Sequence, residues 1–229
     1  MPSTKKTNHK SEKKEHQYLF VVVSLIVLVT AFIAFYYLKS VWQTLLLSVP
    51  QEQTTENITL EQILAPDDPF IGSENPKLTI IEFGDFECPA CLSMAPILRQ
   101  LVLDYQDQLR LIWKDFPGPS HVNAQEAALA ARCAQAQGAF WPFHDTLFAN
   151  QESLSRELYN KIAMQLGLNL PDFNNCLDTN AKIDLIGKSM EAGQLVDIDA
   201  TPFILIGEYK ISGAVSEESL RNLIMSYLK

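Results

Sequence analysis

Basic charge is scarce in this chain. Lys and Arg number 18 against 27 Asp and Glu in 229 residues, a net charge of −9. Phosphate recognition needs a basic face, so nucleic acid is excluded as the main partner. Cysteine is scarce too: four are too few for a disulfide-built mini-protein, yet enough for one redox pair and one staple. There is no internal repeat, and no Met-rich or His-rich tract. Hydrophobic residues make up 47% of the chain, which argues against wholesale disorder.

Charge is absent altogether from Tyr18 to Leu38 (YLFVVVSLIVLVTAFIAFYYL). As a helix this run spans about 31 Å, the thickness of a bilayer core. A signal peptide has a shorter apolar run and a small-residue cleavage site. This run ends instead in Phe35, Tyr36, Tyr37 and Leu38, and Tyr36, Tyr37 and Trp42 suit a membrane–water interface. The reading is a single uncleaved anchor. Lys5, Lys6, Lys10, Lys13 and Lys14 outnumber Glu12 and Glu15 ahead of it, which keeps the N-terminus cytoplasmic by the positive-inside rule. The chain after Ser40 then lies outside the cytoplasm, in an oxidising space.

The expected organisation is a basic tail (1–17), an anchor (18–38), a linker (39–66), a first α/β part (67–120), a helical insertion (121–196) and a second α/β part (197–229). Within the linker, Thr59–Leu64 reads as a short docking helix. Leu78–Phe83 reads as a buried strand, followed by a helix over Ala90–Tyr105 and a second strand over Leu109–Asp115. This βαβ unit predicts a parallel pair. Asn123 caps a helix that ends near Gly138, and further helices are read over Phe140–Asn150, Leu154–Leu166, Pro171–Leu177 and Ala181–Leu195. Strands return at Phe203–Ile206 and Tyr209–Ser212, joined by Gly207-Glu208. Ser216 caps a last helix.

Cys88-Pro89-Ala90-Cys91 carries the chemistry. Cys88 falls at a helix N-terminus, where free N–H groups and the helix dipole favour a thiolate. Pro89 fits the first turn because it has no N–H to lose. Cys91, one turn further in, is the more buried partner that resolves a mixed disulfide. Half of a zinc site and a purely structural disulfide are the alternatives. The strand–CxxC–helix context and the scattered histidines weigh against both.

PKLTIIEFGDFECPAC, GAFWPFHDTLF and ATPFILIG, followed by a hairpin and a terminal helix, resemble the DsbA-like thiol–disulfide oxidoreductases of bacteria over about Asp67 to Lys229. The resemblance implies an α/β thioredoxin-like fold with an inserted all-helical domain, here preceded by a single transmembrane helix. It implies a location on the bacterial inner membrane with the catalytic domain in the periplasm. It places a buried acid, Glu82, beneath the active site to take a proton from Cys91, with Lys114 as a possible partner. It also implies a cis bond at Thr201-Pro202 facing the CxxC, leaving the Thr201 backbone to pair with a substrate chain. One departure is Ala90, where the best-known strong oxidant of the family has a histidine, so a less acidic Cys88 and a less oxidising disulfide are expected. The implied substrates are exported proteins with free cysteines; a quinone-linked membrane partner is expected to reoxidise the Cys88–Cys91 pair, with no cofactor and no metal. An isomerase or reductase direction, or a metal-delivery or chaperone module, remains open.

Some DsbA-like proteins carry an extra cysteine pair in the insert, and Cys133 and Cys176 are the pair left here, so a structural disulfide between them is expected. His144 reads as a packing residue of the insert. His121 stands at a loop-to-helix junction, where either an approach to the active site or a peripheral role is open. Asn57-Ile58-Thr59 matches a glycosylation sequon, which means little in a bacterial host.

Overall fold

The computed structural model describes residues 23–41, apart from Ile26, and 59–229. Residues 1–22 and 42–58 lie outside the described residues, and with them the lysine-rich tail, the start of the apolar run, Trp42, most of the linker and the Asn57 sequon. The described residues fall in two units, divided between Glu56 and Asn57.

The first unit contains helix α1 (Val23–Val41), 19 residues long, with a mean hydropathy of 1.9 over an 18-residue stretch. Among the described residues it is the one helix long and apolar enough to cross a membrane, by length and composition.

The second unit begins with α2 (Leu60–Ile63), β1 (Phe70–Gly72), β2 (Leu78–Gly84), α3 (Pro89–Asp104) and β3 (Leu109–Asp115). Five helices follow: α4 (Ala124–Gln135), α5 (Phe140–Ala149), α6 (Arg156–Gln165), α7 (Leu170–Asp178) and α8 (Ile183–Leu195). The chain closes with β4 (Phe203–Ile206), β5 (Tyr209–Ser212) and α9 (Glu217–Leu228). The sheet order is β1-β3-β2-β4-β5, with β2 and β3 parallel and the other pairs antiparallel.

Apart from Thr79 and Arg110, every residue of β2 and β3 is buried. Such near-continuous apolar strands belong at the centre of a sheet covered on both faces. Ile80, Trp113 and Ile204 face one core together with Leu98 and Leu101 of α3 and Leu220 and Ile224 of α9. Ile81, Phe83, Ile112 and Phe203 face a second core with Ile63 of α2 and Ala192 of α8.

Two differences from the sequence reading follow from this layering. Strand β1 was not expected: it is three residues long and ends in Gly72 at φ +105°, so no alternation precedes the turn cluster. Helix α8, read as part of the insertion, also covers the second face of the sheet. Nor does the insertion keep a core of its own. Phe143, Tyr159, Ile162 and Phe173 belong to the same buried cluster as Ile80 and Trp113. A disulfide between Cys133 in α4 and Cys176 in α7 ties the insertion internally.

Gly84, at the end of β2, leads into the active-site loop. A Cβ there would lie 2.3 Å from the Trp113 ring, so a larger residue would push that indole out of the core.

Candidate active site

The segment between β2 and α3 is a tight turn, in which the Cys88 N–H donates to the Asp85 carbonyl at 3.2 Å. Cys88 is the N-cap of α3 in extended conformation, and Pro89 occupies the first turn, where a missing N–H costs nothing. Both cysteines stand as free thiols, but unequally: Cys88 is 7% exposed and Cys91 0%. Cys88 Sγ–H donates to the Thr201 carbonyl at 3.3 Å, and the Asp85 N–H donates to Cys91 Sγ at 3.4 Å. The Thr201-Pro202 bond is cis. Ala90 is partly exposed between the two cysteines.

The environment drives the two thiols apart. A hydrogen bond from Cys91 pulls the Cys88 pKa down to about 5, helped by the Thr201 side chain and the Cys91 and Ala90 backbone, against partial burial. Cys91 is pushed far up, first by that same hydrogen bond, then by burial and by the charge of Glu82. One sulfur is therefore a ready thiolate and the other a proton holder.

Glu82 lies in mid-β2, 1% exposed, and burial raises its pKa to about 8. Its Oε1 has no hydrogen-bond partner among the described residues. The expected Glu82–Lys114 pairing is corrected. In the parallel register Glu82 is opposite Trp113, and Lys114 is opposite Phe83, so the two side chains leave opposite faces of the sheet. Lys114 instead donates to both carboxylate oxygens of Asp68 at 2.9 Å.

His144 is enclosed by the rings of Phe86, Trp113, Phe140, Trp141 and Phe148, and burial lowers its pKa. His121 comes to the redox motif. Its Nδ1 is 2.7 Å from Oδ2 of Asp85, a carboxylate 1% exposed.

Three further residues hold the motif in place without having stood out in the sequence. Asp85 accepts from the Glu87 N–H at 2.7 Å and the Gly118 N–H at 2.6 Å. Glu87 accepts from the Asn123 N–H at 2.6 Å. Gln151, in a 3₁₀ turn of the insertion, donates through Nε2 to the carbonyls of Phe86 and Cys88, both at 2.9 Å. The signal that could have found Asp85 and Glu87 is their place as acids just before Cys88. Gln151 gave no local signal, because its partners lie 65 and 63 positions away. Among the described residues no three His, Cys, Asp or Glu side chains gather into a metal site.

A sheet with a CxxC at the start of its crossover helix, facing a cis-proline, defines a thioredoxin-type site. Residues 64–226 match the thioredoxin family Thioredoxin_4, and the chain belongs to it. Its structural neighbours include DsbA-type proteins. The thiol–disulfide exchange protein α-DsbA2 of Wolbachia pipientis is 25% identical, with a TM-score of 0.67 over 73% of this chain and 90% of that one. BdbD of Bacillus subtilis shares the fold at 22% identity, with a TM-score of 0.64 over 71% of this chain and 93% of that one. The Na(+)/H(+) antiporter NhaA 3 of Salinispora tropica is 33% identical over 156 residues, which cover 68% of this chain and 24% of the antiporter. The chain thus spans about a quarter of the length of the curated relatives it matches.

Proposed function

We propose that this chain is a membrane-anchored thiol–disulfide oxidoreductase that forms disulfides in exported proteins. The observation that carries this reading is the unequal placement of the two sulfurs: Cys88 at the helix cap against Thr201, Cys91 wholly buried behind it. In the oxidised enzyme a substrate thiolate attacks Cys88 Sγ. The Cys88–Cys91 bond breaks and Cys91 leaves with the electron pair, taking up a proton. A second substrate thiolate then attacks the substrate sulfur of the mixed disulfide. Cys88 departs as a thiolate, and the substrate keeps the new disulfide. Two electrons have passed to the Cys88–Cys91 pair, and a quinone-linked membrane oxidase is the partner assigned to remove them.

The leaving group supports this direction. A thiolate stabilised at Cys88 favours the dithiol form, which makes the disulfide an oxidant. Glu82 is the group proposed to exchange the proton of Cys91, since a carboxyl titrating near 8 can both hold and release it at neutral pH. The anchor is assigned to α1, with the catalytic unit on the extracytoplasmic side of the inner membrane.

Cys91→Ser tests the mechanism. In this variant the Cys88 thiolate attacks a client disulfide and displaces one client thiolate, and with no Cys91 to release the client the mixed disulfide accumulates on non-reducing gels, whereas Cys88→Ser forms none. Trapping by Cys88→Ser alone would reverse the two roles. Retention of α1 in the membrane pellet after alkaline carbonate washing supports the anchor, and release into the wash contradicts it.

A further inference from the structure

We propose that His121 is a positioning residue that adds to the acidity of Cys88, beyond the hydrogen bond from Cys91, acting from the loop after β3 through the Asp85 carboxylate. It does so where the dipeptide between the cysteines offers only Ala90. The inference rests on the thiol-exchange reading above and adds a residue outside the CxxC.

The geometry is a clamp. The loop from Gly118 to Asn123 is fastened to the segment before Cys88 at three points: Gly118 N–H and His121 Nδ1 to Asp85, and Asn123 N–H to Glu87. A Cβ on Gly118 would come within 3.2 Å of Asp85 Oδ2 and 3.3 Å of His121 Nδ1, so the loop packs closely on the pair. Asp85 is at the same time the residue whose N–H reaches Cys91 Sγ and whose carbonyl holds the Cys88 N–H.

A carboxylate this buried needs a counter-charge. The charged groups facing His121 are Asp85, Glu87 and the Cys88 thiolate, all negative when ionised, and each raises its pKa, Asp85 most. The His121 side chain is 29% exposed, whereas the Asp85 side chain is fully buried. Coupling between two titrating sites is mutual: a thiolate that helps hold the imidazole proton is favoured by it in return. Without the imidazolium, Asp85 would leave a buried negative charge beside the motif and oppose a second one at Cys88.

The test is the pH profile of Cys88 alkylation by iodoacetamide in the reduced full-length chain in detergent, with the modified residue located by mass spectrometry. Below the wild-type thiol pKa, His121→Gln is expected to react about three- to tenfold more slowly, with no difference at high pH. His121→Lys restores a positive charge and is expected to react within about twofold of wild type. An unchanged profile in His121→Gln would overturn the proposal. Equal slowing in both variants would also overturn it, because lost loop geometry would then explain the effect without charge. A measurement on the native histidine guards against misfolded variants: its NMR titration moves to lower pH in Cys88→Ser if the coupling exists, and stays in place if it does not. Gel-shift detection of the Cys88–Cys91 disulfide in the same samples separates the two readings. A pair that never oxidises would remove the exchange function and leave the coupling measured.

Discussion

Cys88 and Thr201, 113 positions apart, meet with the thiol sulfur 3.3 Å from the carbonyl oxygen. The helix start and the strand start are thereby brought into register: β4 enters the sheet beside β2, and β2 feeds the loop that carries Cys88. In the proposed cycle a substrate chain lying along Thr201 would pair with this backbone, as an added strand does. Its cysteine would then approach the one sulfur that reaches the surface.

Glu82 gives the first prediction. The unfolded chain ionises this carboxyl around its ordinary value of 4.5, while the folded chain keeps it neutral up to about pH 8. A folded pKa raised in this way costs stability as pH climbs through that window and nothing below it. Glu82→Gln should therefore gain roughly 2–4 kcal/mol at pH 8 and nearly nothing at pH 4. Chemical denaturation at the two pH values checks it, and a gain of equal size at both contradicts the burial argument. The same variant should turn over clients more slowly at neutral pH, since an amide cannot exchange the Cys91 proton.

Gln151 gives the second. Its amide spans the carbonyls of Phe86 and Cys88 at 2.9 Å and joins the insertion to the redox loop. Gln151→Ala removes both bonds and should cost about 1–2 kcal/mol. Hydrogen exchange should quicken at residues 86–92 more than elsewhere. Protection unchanged in that segment would show that the loop is held by its own turn.

The third concerns the Cys133–Cys176 disulfide, which closes a separation of 43 residues. Replacing both cysteines by Ala should lower stability by about 2–4 kcal/mol in the chain-entropy account. Thiol exchange at 25 °C should persist, because the two cysteines lie in α4 and α7 rather than in the redox loop. Loss of exchange with the fold retained would give this disulfide a role beyond stability.

Much of the fold was legible because its signals are local. The β2 and β3 runs are apolar on both faces, and Pro89 and the cap at Ser216 mark helix starts. Cys88 and Cys91 declared themselves by spacing. Partners were less legible. Lys114 was expected beside Glu82, but strand parity sends it to Asp68, 46 positions back in the chain. The Asp85–His121 contact joins two loops 36 positions apart, and no periodicity records such a meeting. Three-residue β1 is too short to show alternation at all.

The most direct test is the redox state of the Cys88–Cys91 pair in growing cells, fixed by acid quenching and thiol trapping. An oxidase that donates its disulfide to exported proteins and is recharged from the membrane should be found mostly oxidised. A pair held mostly reduced would contradict that direction and assign the site to isomerisation or reduction.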